Sequence, residues 1–353
     1  MMIRSRNIIA TPPGATIKEQ LVDRGMSQKE FAARMNMSEK HISNLINGNV
    51  QLTKDVAIRL EMVLGVPAHF WNNLESIYRE KIAQAEEENK MDADIELSRK
   101  IPYSEMVKHT WILPASTQEE KVINLRKFFE VASLELLSIN NLMPSIACRR
   151  LNITEKSDMA LLVWAQKAKI EARSIKTASI NVERLMTIVP QIRELTTYKP
   201  EIFCSVLEKQ LNSCGIAIVY LPNIGGSFLH GATFYDKNKI VIGMTIRGKD
   251  ADRFWFSLLH EIAHIVFGHI NNQNGTTEEE ELAADNFAKD ALITPAAYSS
   301  FVRKHIFTKQ SIIGFAKSER IDPGIVVGRL QKEGYINYSW CNDLKTRYVL
   351  SDS

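Results

Sequence analysis

The sequence predicts a mainly α-helical chain with one small α+β region, on three observations. Apolar residues recur at helical spacing over residues 16–85 and again over about 117–211. Three short runs of strand type follow, at 216–221, 230–235 and 239–244. The run 256–269, FSLLHEIAHIVFGH, then returns to helical character and carries H-E-x-x-H. A chain of 353 residues exceeds one ordinary domain, so several are expected. The composition divides it into a five-helix domain at 1–85, a helical connector at 86–200, an α+β domain at 201–300 and a C-terminal helical extension at 301–353.

The first five helices are expected at 16–24, 28–35, 39–46, 54–64 and 68–85. Ser27, Ser38 and Thr53 precede helices as caps, and Gly25, Gly48 and Gly65 follow them as stops. The acidic run Glu86-Glu87-Glu88 reads as a solvated helix end or linker. Breaks in the connector are expected near Pro144, Asn152 and Pro190. Gly225-Gly226 and Asp236-Lys237-Asn238 mark the turns between strands. Beyond the H-E-x-x-H helix lie a helix over 277–292, a helix-turn-helix-like stretch over 309–333 and a terminal strand near Tyr348. Hydrophobic content of 45% and charge of 24% suit a soluble globular protein, and no apolar window is long enough for a membrane span. No signal peptide is legible, so a cytoplasmic location is expected. Cys148, Cys204, Cys214 and Cys341 lack C-x-x-C spacing and read as thiols.

Within 26–49, Phe31, Ala32 and Met35 share one helical face, and Ile42, Leu45 and Ile46 another. Two short helices joined tightly at Asn36-Met37-Ser38 make a helix-turn-helix. Through Arg59 there are nine basic residues against five acidic ones, a modest surplus that suits phosphate contact. Glu39, Lys40, His41, Ser43 and Asn44 then face outward, either as groove-reading groups or as the polar surface of a plain bundle. The region resembles the Cro/C1-type (XRE) helix-turn-helix family, and most closely HigA-type antitoxins. The resemblance rests on Pro13-Gly14, Ser27-Gln28, Phe31-Ala32, Ile42 and Leu45, Asn47-Gly48, Ala57, Arg59-Leu60, Leu64-Gly65 and Phe70-Trp71. It implies operator DNA as a partner, a homodimer on a palindrome, Glu39, Lys40 and Asn44 at base edges, and Gln28 and Ser43 at phosphates. Glu39 departs from a basic reader, since a carboxylate can accept from cytosine but repels phosphate.

His260 and His264 are four apart, so a helix presents both imidazoles to one ion, with Glu261 beside them. The alternative is a pair of core histidines satisfied by backbone or carboxylate. The longer motif H-E-x-x-H-x-x-G-x-x-H fails by one residue, because Phe267 and Ile270 stand at its Gly and His positions. A third ligand is sought on the next helix, EEEELAADNFAKDALITP, where Glu281 is preferred and Glu280 is the alternative. Asp285, one turn beyond, can fix the tautomer of a ligand histidine. Residues 215–336 resemble the ImmA/IrrE family of metallopeptidases, through Arg253 to Phe256, His260 to His264, Glu281 to Asp285, Phe287-Ala288, Ala316 and Gly328 to Leu330. That resemblance implies a zincin-like fold, a Zn2+ cofactor and hydrolysis of a peptide bond with Glu261 as the base. The substrate implied is a specific regulatory protein. A non-catalytic antitoxin that binds a toxin is the competing expectation. His230, Tyr235 and Arg247 are weak candidates for stabilising the oxyanion.

Overall fold

A computed structural model describes residues 3–4, 8–89, 91–138, 156–225, 230–245, 250–271 and 275–348. Pro144, Cys148, Asn152 and Arg247 lie outside these residues. The chain divides into two compact units, Met1–Ile95 and Glu96–Ser353.

In the first unit, β1 (Ile3–Arg4) pairs antiparallel with β2 (Ile9–Ala10). Five helices follow: α1 (Pro13–Asp23), α2 (Gln28–Arg34), α3 (Glu39–Ile46), α4 (Lys54–Leu64) and α5 (Ala68–Asn89). The side chains of Ser27, Ser38 and Thr53 accept from the backbone N–H of Glu30, His41 and Val56, which satisfies orphan donors at three helix starts. Gly65 closes α4 at φ +70°, a left-handed conformation that suits glycine. Helix α1 begins three residues earlier than expected, because Pro13 is tolerated in the first turn. Gly14 is also required there, since a Cβ would lie 2.0 Å from the Ile46 carbonyl oxygen. Ile17, Phe31, Met35, Ile42, Leu60 and Trp71 fill the core.

After α6 (Asp92–Ser98) come α7 (Tyr103–Lys108), α8 (Gln118–Phe129), α9 (Lys156–Ala172), α10 (Val182–Glu194) and α11 (Pro200–Asn212). Pro190, expected to break a helix, sits inside α10. A proline there costs about 3 kcal/mol. Burial of Leu185, Ile188, Val189 and Ile192 on one face, at about 1.5–3 kcal/mol each, outweighs it.

A three-stranded sheet has the order β3 (Ile216–Tyr220), β5 (Lys239–Met244), β4 (Gly231–Asp236). β3 runs parallel to β5, and β4 antiparallel to it. Ile216, Ile218, Ile240 and Ile242 join the main core, while the opposite face meets α9. At Gly243 a Cβ would fall 2.5 Å from the Trp164 ring, so glycine lets α9 approach.

The last elements are α12 (Ala251–Val266), α13 (Glu278–Leu292), α14 (Pro295–Val302), α15 (Lys309–Glu319) and α16 (Pro323–Lys332). The terminal strand expected near Tyr348 reduces to one bridge, Asp250 to Arg347. Residues 182–195, read as connector, and 321–348, read as extension, share the core with α12. Trp255 Nε1 donates to the Tyr348 hydroxyl at 2.9 Å, which ties that tail to the core. Cys204, Cys214 and Cys341 are free thiols. Among the described residues no helix is long and apolar enough to cross a membrane.

Candidate metal centre and nucleic-acid interface

Helix α12 buries Phe254, Trp255, Leu258, Leu259, Ile262 and Ile265, and this apolar stripe fixes its rotation. The polar side chains of His260 and His264 are thereby turned toward α13. Their Nε2 atoms lie 3.0 Å apart. Glu281 on α13 reaches both, with Oε2 3.2 Å from His260 Nε2 and Oε1 3.6 Å from His264 Nε2. Donor atoms of His260, His264 and Glu281 all fall within 4.8 Å of one another. Thr276 Oγ1 donates to Glu281 Oε1 at 2.5 Å and steadies it. Glu280 faces elsewhere: it closes a capping box with Thr277, accepting from the Thr277 N–H at 2.7 Å.

Each histidine has a second partner. His260 Nδ1 is 2.9 Å from Asp285 Oδ1. His264 Nδ1 is 3.0 Å from His269 Nδ1. Glu261 is 5% exposed, and its Oε2 accepts from the Thr233 hydroxyl at 2.6 Å. Gly231 lies against the same carboxylate, where a Cβ would be 2.8 Å from Glu261 Cγ. His260, Glu261, Glu281, Asp285 and Gly231 line a cleft of about 900 Å³, whose walls include Asp252, Phe256, Gly328, Lys332, Tyr338 and Lys345. Of the oxyanion candidates, His230 lines the cleft, whereas Tyr235 is exposed and is not part of its lining.

The electrostatics follow from burial and these contacts. Burial drives the Glu261 carboxyl up to about 7, against the opposing hydrogen bond from Thr233 and the His260 charge. His264 is lowered to about 4 by burial and then by the neighbouring His260 charge. Burial also pulls on His260, but hydrogen bonds to Asp285 and Glu281 overcome it and raise the imidazole to about 10. Burial raises Glu281, but hydrogen bonds from His260 and Thr276 overcome it, so its net shift is downward. Asp285 is lowered by its bond to His260.

The donor set fits a divalent cation. Two imidazole nitrogens, with His260 giving up its proton on binding, and one carboxylate are zinc-type ligands, and tetrahedral zinc would hold its donors roughly 3.3 Å apart. The observed separations of 3.0, 3.2 and 3.6 Å bracket that value.

In the first unit, Gln28, Glu39 and Lys40 are exposed, while Ser43 and Asn44 are half-buried. His41, expected to face outward, is also half-buried, with Nε2 buried and unpartnered. Two of the counted basic residues serve the fold. Arg59 donates to the Met35 carbonyl at 3.1 Å, and Arg24 to the Leu64 carbonyl at 2.8 Å. Both cap helix ends.

Comparison with known proteins agrees with the helical pattern. The helix-turn-helix family model matches residues 17–71. An uncharacterized HTH-type transcriptional regulator, YddM of Escherichia coli (strain K12), is 35% identical over 74 residues, or 21% of this chain and 77% of that protein. The chain belongs to the helix-turn-helix family. This helix-turn-helix protein is also similar to an addiction module antidote protein of a HigA family from Coxiella burnetii. The match has 27% identity and a TM-score of 0.22, and covers 24% of this chain and 94% of that one. A second family model, peptidase U49, matches residues 254–327, a span that holds His260, Glu261, His264 and Glu281. The helix-turn-helix protein therefore joins a DNA-binding regulator domain to a peptidase U49 domain.

Sequence reasoning missed Thr233, Thr276 and the contact made by His269. Thr233 sits on a separate strand with no motif around it, so only the fold reveals its bond to Glu261. His269 was set aside because it fails a ligand register, yet its contact is with a ligand candidate.

Proposed function

We propose that this protein is a DNA-binding regulator whose second unit is a zinc-dependent endopeptidase of the ImmA/IrrE type, acting on a specific regulatory protein. The observation that carries the reading is the convergence of His260, His264 and Glu281 beside the buried Glu261, at a cleft that His260, Glu261 and Glu281 line. His260 and His264 would hold the ion through Nε2 and Glu281 through its carboxylate, with Asp285 orienting His260. When bound, the ion supplies Lewis acidity, which acidifies water and polarises a peptide carbonyl.

The chain's own residues do the rest. Glu261 keeps Oε2 engaged with Thr233, which leaves Oε1 to accept a proton from the attacking water. A carboxyl near 7 can then return that proton to the departing amine as the C–N bond breaks. In the first unit, α3 would enter a major groove, with Glu39, Lys40 and Asn44 toward bases and Gln28 and Ser43 toward phosphates.

Glu261→Gln tests the peptidase reading. Wild type and variant are assayed for bound zinc and for cleavage of regulatory proteins co-expressed with them. Equal zinc with cleavage lost in the variant supports it. Equal behaviour of both removes the peptidase reading. For DNA, titration of a duplex from upstream of the coding sequence at two salt concentrations is decisive: salt-independent or absent binding removes the repressor role.

A further inference from the structure

His264 is 1% exposed, so its ring depends on protein partners at both nitrogens. Nε2 faces His260 and Glu281, and Nδ1 faces His269 Nδ1 at 3.0 Å. The chain delivers His269 to that place by a sharp reversal. Helix α12 ends at Val266, Gly268 takes φ +74°, and His269 opens a short 3-10 turn, His269–Asn271. The two rings then stand 5.2 Å apart at 62°, edge to face.

We propose that His269 is the positioning residue for His264, fixing the tautomer that presents the Nε2 lone pair to a cation. The inference rests on reading the cluster as a metal centre. The proton accounting is closed. A lone pair on His264 Nε2 requires its proton on Nδ1. That N–H donates to the lone pair of His269 Nδ1, which places the His269 proton on its own Nε2. His260 is held differently, by the carboxylate of Asp285. The two ligand candidates thus have unlike partners, a carboxylate for one and a neutral imidazole for the other. A carboxylate partner makes the ligand it holds more basic, whereas the role left to an imidazole partner is chiefly to fix the tautomer and ring orientation.

The test compares His269→Ala, which removes the acceptor, with His269→Asn, whose side-chain oxygen stands close to where Nδ1 was. His269→Leu, of similar bulk and no acceptor, replaces the alanine variant if that one does not fold, as judged by circular dichroism of the metal-free protein. Zn2+ affinity is measured by competition with a chromophoric chelator, and the d–d spectrum is recorded with Co2+. The acceptor-less variant should bind Zn2+ about 10–100-fold more weakly and shift the Co2+ bands. His269→Asn should stay within about threefold of wild type, a small part of that 10–100-fold range. Equal affinities and spectra in all three proteins would overturn the proposal. So would an equal loss in Asn and Ala, which would point to packing by the ring. Failure of the wild type to bind Zn2+ or Co2+ would remove the metal centre and this role together. Loss of cleavage with metal binding intact would leave this role standing.

Discussion

The two units keep their polar side chains in opposite ways. In the first, Gln28, Glu39 and Lys40 on α2 and α3 stand exposed. In the second, His264 and Glu261 are buried, with His264 partnered at both ring nitrogens and Glu261 Oε2 held by Thr233. An exposed polar residue is solvated at no cost, so its presence decides little. A buried imidazole or carboxylate costs several kcal/mol unless it is partnered, so its presence calls for a reason. The buried cluster therefore constrains function tightly, while the exposed face only permits it.

The strongest way to break that contrast is at Glu261. Replacement by Gln keeps shape and removes the proton acceptor. Cleavage should fall about 10²–10⁴-fold while zinc content stays unchanged. Retained cleavage would mean that the most constrained residue of the second unit has no chemical task. Backbone approach gives the next largest effect, and it lies in the first unit. Gly14→Ala would push a methyl group to 2.0 Å from a backbone oxygen, and backbone cannot yield cheaply. A loss of about 3 kcal/mol is expected in chemical denaturation. A change below about 1 kcal/mol would place α1 differently on α3.

These effects bear on what was legible in the sequence. The helices of the first unit were read with the right order and nearly the right ends, because Ser27, Ser38, Thr53 and Gly65 each act within one turn of the chain. That His260 and His264 share a face follows from helix geometry, whereas the approach of Glu281 to both depends on how α13 packs on α12. Pro190 was misjudged, since a local rule met burial that only the tertiary fold supplies. Nor does the chain's local pattern show that α10, from the expected connector, and α16, from the expected extension, share a core with α12. Thr233 is the limiting case, 28 residues from Glu261 and marked by nothing around it.

Thr233 also allows a finer probe of the second unit. Its hydroxyl stabilises the ionised form of Glu261, which burial otherwise disfavours. Thr233→Val removes that bond and should move the Glu261 carboxyl further up from about 7. The base works only when ionised, so the acidic limb of the kcat/KM profile should shift to higher pH. Activity would be lost first at low pH and kept at high pH. An unchanged profile with normal activity would mean that Glu261 is not the group that titrates.

The smallest effects separate two cations in the first unit that the sequence counts alike. Arg59 is committed to the fold: it donates to the Met35 carbonyl at 3.1 Å and pairs with Asp55 at 3.0 Å. Arg59→Ala should cost about 1 kcal/mol, mostly through the carbonyl bond, because an exposed i,i+4 ion pair adds little. Lys40 is exposed near the start of α3, so Lys40→Ala should leave the melting temperature unchanged. If the face meets DNA, that same change should weaken binding and, by removing a cation from the interface, reduce its salt dependence. Fluorescence anisotropy at two salt concentrations, set beside thermal melts of both variants, reads the pair. Weakened DNA binding from Arg59→Ala with a normal melt, and none from Lys40→Ala, would reverse the assignment. The DNA-facing charge would then lie among the residues that also cap helices, and the first unit would resemble the second, with structure and function resting on the same bonds.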